Sequence, residues 1–165
     1  MPHKLFPPKK NDAGENLCRY CGKVLSGRRT AWCSDECSET AMIICYPSFA
    51  RSATFRRDKG VCAKCGIDTV SLQRRTYKLI QKITSKKRYK RAERVRHHMK
   101  AKGWPCDWYG TRSWWDADHI HPVVEGGGLC GLENYRTLCC PCHKKETAEL
   151  AKRRAKKKRP QQDLF

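Results

Sequence analysis

Eight of the chain's twelve cysteines fall into four short pairs, Cys18/Cys21, Cys33/Cys37, Cys62/Cys65 and Cys139/Cys142. No other feature restricts the possible folds as much. Cysteines in this number either cross-link a secreted scaffold or bind metal. The N-terminus, Met1-Pro-His-Lys-Leu-Phe-Pro-Pro-Lys-Lys, has no apolar signal core, and no segment reads as a membrane span, so a reducing, intracellular setting is expected. There, paired cysteines mean metal. Four thiolates satisfy one tetrahedral zinc, so two structural Zn2+ sites are predicted: Cys18, Cys21, Cys33 and Cys37 in the first, Cys62, Cys65, Cys139 and Cys142 in the second. Cys45, Cys106, Cys130 and Cys140 are left over and read as small core residues or incidental thiols. The 165 residues are 39% hydrophobic, in short runs, which suits small stapled modules better than one large core.

Residues 1–16, rich in Pro and Lys, read as a disordered or extended N-terminus. A zinc finger is expected over 17–46. Gly22 allows the tight turn after Cys21, and Ser34 and Asp35 are helix-capping types ahead of Glu39–Ile43. Pro47 ends that helix, and 47–60 is a connector holding a short helix at 47–56. The second knuckle, Cys62-Ala-Lys-Cys65-Gly66, waits until Cys139 and Cys142 for its partner pair, so everything between is an excursion within one module.

Most of that excursion, 71–102, reads as a single basic helix. It lacks Gly and Pro, and Leu72, Leu79, Ile83, Ala92, Val95 and Met99 recur at helical spacing. It carries thirteen Lys and Arg against one acid, Glu93, too one-sided for pairing within the helix. Over the whole chain 36 Lys and Arg face 16 Asp and Glu, a formal net charge of +20. Such a surface calls for a polyanion, because each neutralised phosphate releases a counterion. Arg88, Lys90, Arg91, Arg94, Lys144, Lys145, Arg153 and Arg154 are candidate DNA contacts. The aromatic cluster Trp104, Trp108, Tyr109, Trp114 and Trp115 reads as core.

Beyond it a strand is expected over 112–121, a Gly-rich turn over 122–131, a second strand over 132–139 and a helix over 141–158. Within this β-β-α order stand Trp115-Asp-Ala-Asp118-His119-Ile-His121-Pro122, then Gly126-Gly-Gly128, Asn134 and Cys139-Cys-Pro-Cys142-His143. A carboxylate and an imidazole are adjacent on a strand. Another imidazole opens a helix directly after two knuckle cysteines, which aim it rigidly. This constellation, over 61–150 with 66–110 as a long insert, resembles the HNH endonuclease family, whose active site is a ββα-metal unit. The resemblance implies a catalytic divalent ion, Mg2+ or Mn2+, held by Asp118 and His143. It implies His119 as the general base that takes a proton from the attacking water. Asn134 then either braces the loop that orients His119 or reaches the metal. An imidazole titrates near neutrality, so it is a usable base once a carboxylate or carbonyl holds its other nitrogen. His121 reads as a strand neighbour or phosphate contact, with an auxiliary ligand role as the alternative, and Asp116 and Glu125 as solvated carboxylates.

The expected fold is thus α+β: a zinc-stapled ββα-metal nuclease core at 61–158, with its basic helical insert at 71–102, after the N-terminal finger. The expected function is metal-dependent hydrolysis of DNA phosphodiesters. A non-catalytic zinc DNA-binding adaptor and an RNA-directed HNH nuclease are the alternatives. Residues 159–165 end in Gln161-Gln-Asp163-Leu164-Phe165 after a run of seven basic residues in eight. This tail resembles the peptide by which bacterial proteins dock on the polymerase sliding clamp, which implies Gln161, Asp163, Leu164 and Phe165 as partner-binding residues. That likeness implies a bacterial, phage or plasmid setting, and with the intracellular setting already expected the protein is placed in the cytoplasm, associated with the nucleoid.

Overall fold

In the computed structural model, which describes residues 2–158, the chain forms two units, and it passes between them within two of its strands. One unit takes the described residues up to Arg57 and His119–Arg136; the other takes Asp58–Asp118 and the described residues from Thr137 onward.

The first unit is organised by the N-terminal knuckle. Its residues before Leu17 adopt a one-turn helix α1 (Pro2–Leu5) and a short strand β1 (Lys9–Lys10), paired antiparallel with β2 (Asn16–Leu17). That order departs from the expectation for 1–16. The Phe6 ring explains it, packing against Tyr20 and Trp32 at centroid distances of 6.0 and 5.9 Å and anchoring an otherwise polar segment. Gly22 closes the knuckle with φ +77°, and its N–H donates to the Cys18 carbonyl, an arrangement that a side chain would strain. Helix α2 (Asp35–Cys45) starts at the expected cap, the Ser34 hydroxyl accepting from the Cys37 N–H at 3.2 Å. Pro47 both ends α2 and opens α3 (Pro47–Asp58), the short helix expected at 47–56 extended by two residues, because Pro is pre-organised for the first helical position. The guanidinium of Arg57 ties α3 to the start of the last strand and the turn before it, donating to the carbonyls of Leu132 (2.9 Å) and Tyr135 (2.6 Å).

In the second unit the expected 32-residue helix is two. α4 (Thr69–Ser85), capped by the Asp68 carboxylate accepting from Ser71 N–H, and α5 (Tyr89–Ala101) fold back on each other about a turn in which Lys87 takes φ +57°. A left-handed Lys is mildly unfavourable. Burial outweighs it: the hairpin buries Ile80, Ile83 and Ala92 in a core with Trp104, Cys106, Trp114, Leu138, Cys62 and Cys139. Each large apolar side chain removed from water stabilises by roughly 1.5–3 kcal/mol, which one straight helix would forfeit. The aromatic cluster divides. Trp104, Trp114 and Trp115 are buried, whereas Trp108 and Tyr109 are exposed, Trp108 beneath the guanidinium of Arg96. Cys106 is core, as expected.

The last elements are β3 (Trp115–His119), β4 (Tyr135–Cys139) and α6 (Cys140–Lys158), the expected β-β-α order, with single 3-10 turns at Val123–Glu125 and Leu132–Asn134 in the loop. Hydrogen bonds from Ile120 N–H to Asn134 O (2.8 Å) and from Cys140 N–H to Trp114 O (3.1 Å) flank the β3–β4 ladder and make it antiparallel. β3 is shorter than predicted because backbone groups ahead of it are taken by side chains: Gln73 donates to the Arg112 carbonyl at 2.9 Å.

Candidate active site and metal centres

Both predicted cysteine sets converge. One Sγ from each of Cys18, Cys21, Cys33 and Cys37 lies within 4.8 Å of the other three, and the same holds for Cys62, Cys65, Cys139 and Cys142. Individual separations of 3.4 Å (Cys21–Cys33), 3.5 Å (Cys33–Cys37) and 3.7 Å (Cys65–Cys139) lie near the edge of a tetrahedron about an ion with bonds of about 2.3 Å, an edge of about 3.8 Å. The thiols compete for charge. Burial pushes Cys18 up, but N–H groups of Cys21, Cys33 and Tyr20 outweigh it and hold Cys18 at about 6; Cys33 is pushed up to about 12 by the Cys21 and Cys37 sulfurs. In the second set burial again opposes backbone N–H groups that hold Cys62 at about 7, while burial and the neighbouring sulfurs raise Cys139 far above the usual thiol range. Four sulfurs so placed cannot all be thiolates without a cation among them, and zinc fits both sets.

Sequence reasoning placed Asp118 on a strand and His143 at a helix start, and the fold brings them together within the second unit. The knuckle cysteine Cys142 immediately precedes His143 in the first turn of α6, and Asp118 Oδ1 is 3.6 Å from His143 Nε2. The other ring nitrogen, Nδ1, faces Asp116 Oδ2 at 3.5 Å. Asp116 is therefore no merely solvated carboxylate. The missed signal was the two-residue alternation of a strand, which puts 116 and 118 on one face of β3. Cys140 is no incidental thiol either: its Sγ lies 3.9 Å from Asp116 Oδ2 and 3.7 Å from the Ser113 carbonyl.

In the first unit the Gly-rich loop is organised around Asn134. Its Oδ1 accepts from His121 N–H (2.7 Å), and its Nδ2 donates to the carbonyls of His121 (3.1 Å) and Gly127 (3.0 Å). Gly127 is required by close approach: a Cβ there would stand 1.9 Å from the His121 carbonyl oxygen. The His121 ring is engaged within the same loop, its Nε2 2.7 Å from the Glu125 carbonyl. His119 stacks on Tyr135 with ring centroids 4.4 Å apart. Its Nε2 is buried with no hydrogen-bond partner among the described residues, so the expected carboxylate or carbonyl does not hold that nitrogen; ring packing does.

Of the candidate nucleic-acid contacts, Arg88, Lys90, Arg91 and Arg94 line one surface cavity of about 600 Å³ at the α4–α5 turn, joined by Lys87 and Tyr89. Lys145, Arg153 and Arg154 are exposed on α6, whereas Lys144 Nζ donates to the Gly103 carbonyl at 3.3 Å. Gln161, Asp163, Leu164 and Phe165 lie outside the described residues. Among the described residues, no helix is long and apolar enough to cross a membrane.

The antiparallel β3–β4 ribbon leads into a helix whose first turn presents His143 toward the Asp118 carboxylate, the β-β-α order of the ββα-metal class, and residues 103–149 match the HNH endonuclease family. The matched stretch takes in β3, β4, the loop between them and the start of α6. The chain is similar to the DNA annealing helicase and endonuclease ZRANB3 of Mus musculus, 32% identical over 167 residues covering 96% of this chain and 16% of that protein. The similarity to ZRANB3 of Homo sapiens is 33% identity, covering 90% of this chain and 15% of that protein. The chain thus spans about one sixth of the curated relatives it matches. No solved structure matches it. These relatives are mammalian, so they lend no support to the bacterial or phage setting inferred from the C-terminal peptide.

Proposed function

We propose that this chain is a metal-dependent endonuclease that hydrolyses DNA phosphodiesters, with Asp118 and His143 as ligands of the catalytic ion and His119 as general base. The observation that carries the reading is the approach of the Asp118 carboxylate to His143 Nε2, a hard and a borderline donor presented together by a strand and a helix. The ion, Mg2+ or Mn2+, supplies charge stabilisation for the phosphoryl and leaving oxygens. His119 precedes the loop directly and follows Asp118 directly. With Nε2 buried, Nδ1 is the nitrogen left to take the proton of the attacking water. Water oxygen bonds to phosphorus, the bond to the 3′-oxygen breaks, and the products are a 5′-phosphate and a 3′-hydroxyl. Asn134 braces the loop after His119. Two zinc ions staple the two four-cysteine sets. The relatives bear the name DNA annealing helicase and endonuclease, which favours DNA over RNA as substrate.

Arg88, Lys90, Arg91 and Arg94, with Lys145, Arg153 and Arg154, hold the duplex backbone, and the Gln161–Phe165 peptide recruits a polymerase sliding clamp. The test is nicking of supercoiled plasmid with Mg2+ or Mn2+ by wild type and His119→Ala. Metal-dependent nicking lost in the variant supports the assignment. Equal nicking by both proteins refutes His119 as base, and tight DNA binding without cutting under any metal turns the reading to a DNA-binding adaptor. Removal of Leu164 and Phe165 is expected to abolish clamp binding while sparing cleavage of naked DNA.

A further inference from the structure

We propose that Asp116 is a positioning residue: its carboxylate holds the Nδ1 side of His143, so that Nε2 is the nitrogen turned bare toward Asp118. The inference rests on the reading of Asp118 and His143 as metal ligands. A neutral imidazole carries one proton, and a nitrogen that binds metal must be the one without it. The proton therefore belongs on Nδ1, and Nδ1 faces Asp116 Oδ2 at 3.5 Å while Nε2 faces Asp118 Oδ1 at 3.6 Å. The two carboxylates stand two residues apart on β3, one for each ring nitrogen.

Asp116 is itself held. Cys140 and His143 are three residues apart, neighbours on one face of α6, and the Cys140 thiol lies 3.9 Å from the same Asp116 oxygen. Ser113 O, 3.7 Å from Cys140 Sγ, extends this chain of contacts back to the start of β3. A direct ligand role for Asp116 fits less well. The side-chain sets whose donor atoms converge within 4.8 Å of one another, among the described residues, are the two groups of four cysteines, and Asp116, Asp118 and His143 form no such triple. The geometry is that of a carboxylate behind a metal-binding histidine, an outer partner that fixes tautomer and ring orientation.

Imidazole 15N–1H correlation spectra of the zinc-loaded full chain, before any Mn2+ is added, test this directly. His143 is expected as the Nδ1–H tautomer in the wild type. In Asp116→Ala it is expected to move toward Nε2–H, with Mn2+ affinity by calorimetry falling roughly 10- to 100-fold. Asp116→Asn keeps an acceptor oxygen and is expected to retain the tautomer with a smaller loss. Wild-type His143 protonated on Nε2, or Asp116→Ala with wild-type tautomer and Mn2+ affinity, overturns the proposal without needing any other variant to fold. Asp118→Ala separates the two readings. It is expected to lose Mn2+ binding with the His143 tautomer intact. Undiminished Mn2+ binding there would sink the metal-ligand reading itself, while the tautomer still reports on Asp116.

Discussion

Replacing Asn134 distinguishes the two roles its residue type allows, loop brace and metal ligand. In the structure the amide makes three hydrogen bonds, all to the loop. The two with His121 lie at the surface, where water competes, and the one to Gly127 is partly buried. Counting the exposed bonds at about 0.5 kcal/mol each and the partly buried one at about 1 kcal/mol, Asn134→Ala weakens loop closure by about 2 kcal/mol. That corresponds to roughly 30-fold in the opening equilibrium. Amide hydrogen exchange is the assay, because the His121 N–H is protected by Asn134 Oδ1 and is expected to exchange faster by that factor while the β3–β4 ladder is unaffected. Asn134→Asp sharpens the test. It keeps the acceptor but turns two donor contacts into a carboxylate facing two carbonyl oxygens, at 3.1 and 3.0 Å in the native geometry. Its loop is expected to open more than that of the Ala variant at neutral pH and to recover as the carboxyl is protonated in acid. A brace reading would be refuted if Asn134→Asp exchanged more slowly than Asn134→Ala at neutral pH and bound Mn2+ more tightly than wild type, the behaviour of a ligand made anionic.

Metal analysis is expected to find two zinc ions per chain; Cys139→Ser should release one of them and broaden thermal unfolding, since binding free energy at such sites is folding free energy. Changing Arg88, Arg91 and Arg94 together to Ala should lower the slope of log binding constant against log salt by about 3 with plasmid or oligonucleotide DNA, measured by anisotropy. A pH titration of stability should show two limbs from the Tyr77–Asp107 pair, hydrogen-bonded at 2.9 Å. Burial pushes Asp107 up, but bonds from Tyr77, Thr111 and the Gly110 N–H outweigh it and hold the carboxyl low. Its contribution is therefore complete above the ordinary value of about 4 and lost as pH falls through the depressed one. Tyr77 is raised, first by burial and then by Asp107, so its contribution is complete below about pH 10 and lost as pH rises further; Tyr77→Phe should flatten both limbs in chemical-denaturation midpoints.

What could be read without the structure was what spacing encodes. Cysteine pairs gave both sulfur sets, and the order of Asp118, His119, Asn134 and His143 gave the ribbon and helix on which they sit. What could not be read was what depends on tertiary packing. Helical periodicity runs unbroken through 71–102, because the turn at Lys87 uses no Gly or Pro and is imposed by the burial of Ile80, Ile83 and Ala92 against Trp114 and Leu138. Asp116 looked solvated because its partners are 24 and 27 residues away on α6. Among five neighbouring aromatics, sequence proximity could not tell the buried Trp104, Trp114 and Trp115 from the exposed Trp108 and Tyr109.

The two sulfur sets close loops of very different span: Cys21 meets Cys33 across 12 residues, whereas Cys65 meets Cys139 across 74. Loop-closure entropy separates them by about 1.6 kcal/mol, on the order of 15-fold in the chance encounter of the two halves of each site. During synthesis the first set is complete before the α4–α5 hairpin has left the ribosome. The second must wait for Cys142, which follows the hairpin in the chain, by which time the hairpin's apolar face has already been exposed. Under the two-zinc reading the first ion is acquired as a local event and the second only after the hairpin has been made, so a shortage of zinc is expected to leave the finger loaded and the ββα unit open.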